Sequence, residues 1–116
     1  MSAAPAFPEL FFVLDPQGGL VAFRENLAPW AGVVMFSSEA AALQFCRDSG
    51  AHDATVAAVA TSDADSLRAI IGQVKLKGIR YLLLDLDYRQ GTCIRYELEG
   101  DWFGTAQPHR FTPAAH

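Results

Sequence analysis

The chain is poor in cysteine and in basic residues and has no long apolar run, and each shortage closes a class of function. Two cysteines, Cys46 and Cys93, cannot form the disulfide framework typical of a small secreted domain. Neither has a second Cys or a His at metal-ligand spacing, so both are expected to be reduced thiols of a cytosolic protein. Nine Lys and Arg stand against thirteen Asp and Glu, for a net charge of −4. The densest basic group, Arg68, Lys75, Lys77 and Arg80, spans one helix and its exit. It reads as a solvated helix face, and no nucleic-acid partner is expected. No run reaches the roughly 18 apolar residues that a membrane helix needs. The opening MSAAPAFPELFF lacks the basic and apolar regions of a signal peptide, so no membrane association is expected. There is no GxxxxGK[ST] loop, which removes the P-loop ATPases.

What is present is a core. Apolar residues make up 51% of the 116 and charged residues 19%, enough to offset the entropy of ordering in one domain covering 1–116. Residues 1–8 form an Ala/Pro arm, expected to be irregular. Leu10–Leu14 and Leu20–Phe23 flank the turn Asp15-Pro16-Gln17-Gly18-Gly19 and predict a hairpin. GVVMF reads as a buried strand, and SSEAAALQFCRDSG as a helix opened by Ser38 and closed by Gly50. ATVAAVATS is a second buried strand. SDADSLRAIIGQVKLKG is a helix with Leu67, Ile70, Ile71 and Val74 on one face, and Ser62 with Asp65 resembles a capping box. IRYLLLDLD and the alternating TCIRYEL complete the strands. Residues 104–116 read as an irregular tail behind the anchors Trp102 and Phe103.

The expected fold is α/β, at the border of α+β: a single mixed sheet in the order β-β-β-α-β-α-β-β with two helices packed on it. The central strand-helix-strand-helix-strand run predicts parallel neighbours joined by right-handed crossovers. Laid down in sequence order, these put both helices on one face and leave an apolar face bare. A hairpin, the tail or a second subunit would cover it. That points to a homodimer with Tyr96, Trp102 and Phe103 at the interface; in the alternative, the chain reverses and puts one helix on each side.

Asp85 and Asp87 end the leucine-rich strand. Alternation puts Tyr81, Leu83, Asp85 and Asp87 on one face, where two carboxylates could share a cation. The haloacid-dehalogenase phosphatases use Asp-x-Asp in such a place, but also need a downstream Lys, which is missing here. The simpler reading is a strand leaving the core. The carboxyl ends of the parallel strands would gather Ser37, Ser38, Thr61, Ser62, Asp63 and Asp85, with helix N-termini facing an anion. His52-Asp53, His109 and His116 lack the spacing of a metal site, and Trp30 reads as a packing anchor. No cofactor is implied.

GVVMFSSEAAALQFCRD resembles the opening of SseB-like domains, small bacterial modules in which a short strand ends in Phe-Thr/Ser-Ser-Glu and runs into a helix. IRYLLLDLDYRQGT is similar to a later strand of that family, with Asp85-Leu86-Asp87 in place of its Asn-Pro turn. The resemblance implies a compact bacterial α/β module working through protein contacts, with no catalytic residues. The functional expectation is therefore a non-enzymatic module that dimerises or docks on a protein. An anionic-ligand binder or a metal-dependent phosphoryl-transfer enzyme are the alternatives.

Overall fold

The computed structural model describes residues 4–25 and 30–111. Expectations for residues 1–3 of the arm, for 26–29, and for 112–116 of the tail, His116 included, fall outside them. The elements are β1 (Glu9–Leu14), β2 (Ala22–Arg24), β3 (Ala31–Phe36), α1 (Glu39–Ser49), β4 (Thr55–Ala60), α2 (Ala64–Leu76), β5 (Tyr81–Asp87), β6 (Thr92–Glu99) and β7 (Trp102–Arg110). They form one mixed sheet with two helices, an α/β fold. The extra strand is β7. Gly104 and Pro108 fall in the expected irregular tail, yet 106–110 pair with β6 beyond a bulge between Tyr96 and Leu98. Both residues suit such a place. A Cβ on Gly104 would run into the Glu97 carbonyl oxygen, and Pro108 lies on an edge strand.

The strand order is β4-β1-β3-β5-β6-β7, with β2 pairing beside β1 along β3. β1 meets the carboxyl half of β3 (Phe11 with Phe36, Phe12 with Met35), and β2 meets the amino half (Ala22 with Val33 through Arg24 with Ala31). Of the three central strands only β3 and β5 are parallel neighbours. β4 runs in the same direction but pairs antiparallel with β1, which lies between it and β3. The expected run of three adjacent parallel strands is therefore corrected: the N-terminal hairpin inserts itself into the middle.

That insertion decides where the helices go. From β3 the chain crosses one way to β4, then back over β1 and β3 to β5. Crossovers of one hand running in opposite directions put their helices on opposite faces. Ala42, Phe45 and Cys46 of α1 pack with Val13, Val34, Phe36 and Leu83. Leu67, Ile71 and Val74 of α2 pack with Leu10, Phe12, Met35 and Leu82 on the other face. The chain reverses, as the alternative had it, and no sheet face waits for a second subunit. Phe103 is buried in the α2 cluster rather than displayed at an interface. Tyr96 and Trp102 are half-buried against it, at ring centroids 5.7 and 5.2 Å from Phe103.

The helix ends follow their sequences with one change. Ser38 Oγ accepts from the Ala41 amide at 3.2 Å, and Gly50 closes α1 in the left-handed region. At α2 the cap is Asp63 rather than Ser62: its carboxylate accepts from the Ser66 amide at 3.1 Å and from Ser66 Oγ at 2.7 Å. A carboxylate offers two acceptors and suits the positive end of the helix dipole.

Gly32 is the tightest joint of the sheet. A Cβ there would sit 2.5 Å from Leu83 Cγ, in the fully buried centre between β3 and β5. Gly32→Ala is expected to lower stability by about 1–3 kcal/mol through overpacking, read as a lower urea midpoint with an unchanged slope.

Candidate functional site

Asp85 has φ of 52°, the one left-handed non-glycine residue among those described, and the β5–β6 register shifts between Leu84 and Asp87. The bulge changes the phase of the strand. Leu82 and Leu84 face α2 as alternation requires, but Leu86, expected beside them, packs on the α1 side with Leu83. The regular i, i+2 placement of Asp85 and Asp87 on one strand face is thereby broken.

Each carboxylate has a structural task. Ser37 donates to Asp85 twice, from its amide to Oδ1 at 2.8 Å and from Oγ to Oδ2 at 2.7 Å. This ties the end of β5 to the β3–α1 junction. Asp87 Oδ1 accepts from the amides of Arg89 and Gln90, both at 3.0 Å, and the Asp87 carbonyl accepts from Gly91 at 2.9 Å, closing the YRQG turn. Asp48 of α1 accepts from Gln44 at 2.9 Å and pairs with Arg89 at 3.0 Å. These acids line a depression of about 430 Å³ with Gln44 and Tyr88. Its carboxylates already have donors from the chain itself. Among the described residues no group of His, Cys, Asp and Glu is placed to hold a metal ion.

The set expected to gather at the strand ends is split. Ser37 and Ser38 stand by Asp85. Thr61, Ser62 and Asp63 lie beyond the far edge strand, where Thr61 Oγ donates to the carbonyls of Phe7 at 2.6 Å and Pro8 at 3.2 Å. Insertion of β1 between β3 and β4 separates the two halves.

Sequence reasoning missed an aromatic and cationic cluster at the opposite end of the strands. The Trp30 and Tyr81 rings lie 5.2 Å apart, and the Arg95 guanidinium sits 5.1 and 4.9 Å from their centroids. His109 meets the Trp30 ring at 5.1 Å and bonds Glu25 at 3.2 Å. The members come from separated segments, so no local spacing announces them. His52 is exposed, and Cys46 and Cys93 are buried free thiols on the α1 side. Burial raises the Cys46 pKa and pushes that of Cys93 up to about 11, with Arg95 opposing and Glu25 reinforcing the latter.

No protein-family model and no curated protein matches the chain. Among the described residues no helix is long and apolar enough to cross a membrane.

Asp85→Ala removes both acceptors of Ser37 and leaves a left-handed alanine, so it is expected to cost about 2–4 kcal/mol. Asp85→Asn keeps an acceptor and tolerates that backbone, at a cost of about 1 kcal/mol or less. Urea unfolding separates them, and equal, negligible losses would contradict the structural role. For Cys93, the native thiol stays protonated while its unfolded counterpart ionises near 9.0. The unfolded state then binds fewer protons, so stability falls as pH rises from 9 toward 11, by on the order of 2 kcal/mol. Tyr96, also raised by burial, steepens the decline at higher pH. Cys93→Ala is expected to flatten the profile between pH 9 and 11.

Proposed function

We infer that this protein is a non-enzymatic contact module, and that it associates with a second copy of itself through the open edge of β4. A single observation carries the reading: the two edges of the sheet are unlike. β7 has Pro108, His109 and Arg110 and a bulge, features that discourage pairing by another strand. β4, Thr55-Val-Ala-Ala-Val-Ala60, has no charge, no proline and an unbroken register with β1. An edge of that kind is a template for strand addition.

The hydrogen-bond parity fits a two-fold pair. The Thr61 amide donates to the Pro8 carbonyl, and inward-facing groups recur every second residue. Val56, Ala58 and Ala60 therefore turn their amides to the open side. An axis through Ala58 sets Ala58 against its own copy and Val56 against Ala60, with small side chains that allow close approach. Such an interface is isologous, as a closed dimer requires. A role in contacts is also what the resemblance to SseB-like domains implies. The phosphoryl-transfer alternative loses ground because Asp85 and Asp87 are engaged in backbone closure. Cytoplasmic residence and bacterial origin belong to the same proposal.

Ala58 is exposed, so Ala58→Lys is expected to leave the circular dichroism unchanged and to convert a dimer to a monomer by light scattering. A wild-type chain that is monomeric at ~100 µM, well above the dissociation constant of a functional dimer, would refute the reading. So would a dimer that persists unchanged in the Ala58→Lys variant.

A further inference from the structure

We propose that a pocket at the amino-terminal ends of β3 and β5 binds a small organic phosphate of mononucleotide size. It lies opposite the strand ends where an anion was expected, and it is independent of the β4 edge. Arg24 closes β2, Trp30 precedes Ala31 at the start of β3, and the α2–β5 connection passes along it from Lys77 to Arg80 before Tyr81 opens β5. The volume is about 340 Å³.

Charge is the first argument. The chain has nine Lys and Arg and a net charge of −4, yet Arg24, Lys77 and Arg80 converge here. Among the described residues the ion pairs are Arg68–Asp101, Arg89–Asp48 and His109–Glu25, and none uses these three cations. Lys77 Nζ donates to the Leu20 carbonyl at 3.1 Å, which fixes the ammonium at the rim with donors to spare. Arg24 and Arg80 are exposed, and among the described residues no carboxylate engages their planar donor forks. Such a trio repels itself, and a phosphate relieves the repulsion with charge-assisted hydrogen bonds.

Shape is the second argument. The pocket is far larger than one phosphate group, and the rest of its lining includes Trp30, Ala31, Ile79 and Tyr81. The two rings are preset by Arg95 packed against both. A half-buried aromatic wall beside a cationic rim fits a ligand with a planar or apolar body and an anionic end. The neighbouring Glu25 is occupied elsewhere, bonded to His109 at 3.2 Å.

The test uses Trp30 fluorescence in a Trp102→Phe background, titrated with AMP, adenosine and inorganic phosphate. AMP is expected to saturate, with adenosine and phosphate each at least about tenfold weaker. Arg24→Gln and Arg80→Gln, both at exposed positions, are each expected to weaken AMP about tenfold, the loss of one charge-assisted contact, at unchanged melting temperature. Ala58→Lys is expected to bind AMP as the parent does, which separates this pocket from the dimer reading. The proposal falls if AMP does not saturate by ~10 mM, a limit beyond specific recognition. It also falls if adenosine binds as well as AMP, or if the arginine variants bind AMP like the parent.

Discussion

The position of β1 is the constraint on which the rest of this molecule depends. Its ladder with β4 on one side and its shorter pairing with β3 on the other separate two strands that sequence order would have made neighbours. Once β1 is in the middle, the two crossovers must run in opposite directions, and the handedness of the strand-helix-strand unit puts α1 and α2 on opposite faces. Phe12 and Leu10 of β1 then face α2 while Val13 faces α1, so one strand anchors both halves of the core. The sheet is closed above and below by the chain's own helices, and what remains open to a partner is its edge.

The two acids after the leucines both meet structural requirements of a strand end. A strand that leaves a sheet must satisfy its final backbone groups and turn. Asp85 accepts the left-handed backbone that a bulge imposes and binds the amide and hydroxyl of Ser37 across the sheet. Asp87 collects the amides of the following turn. The same short side chain that serves nucleophiles and metal ligands serves these tasks because it carries acceptors close to the backbone.

The two proposed surfaces occupy separate places. The β4 edge offers unpaired amides among small uncharged side chains, the requirement for strand addition. The opposite end of the parallel pair offers cations beside aromatic rings, the requirement for an anion with an apolar body. The division follows from topology: β4 is an edge because β1 displaced it outward, and Arg24, Arg80 and Trp30 meet because β2 and β5 flank the start of β3.

Local patterns were legible throughout. The hairpin turn at Asp15–Gly19, the capping serine of α1, the Leu67-Ile70-Ile71-Val74 face of α2 and the alternation of β6 each depend on interactions within a few residues, and the sequence determined them. Pairing partners were not legible. Whether β4 lies beside β3 or beyond β1 depends on contacts between residues such as Phe12 and Ala57, far apart in the chain, and no spacing encodes that choice. The strand character of 104–110 was hidden for the same reason, since Gly104 and Pro108 are turn formers until a bulge and an open edge make room for them. The amino-acid order by itself decided the elements, the core composition and the acidic balance. Only the tertiary structure decided which face each helix covers, that Asp85 accepts from Ser37, and that Trp30, Tyr81 and Arg95 stand together, because those outcomes are set by long-range packing.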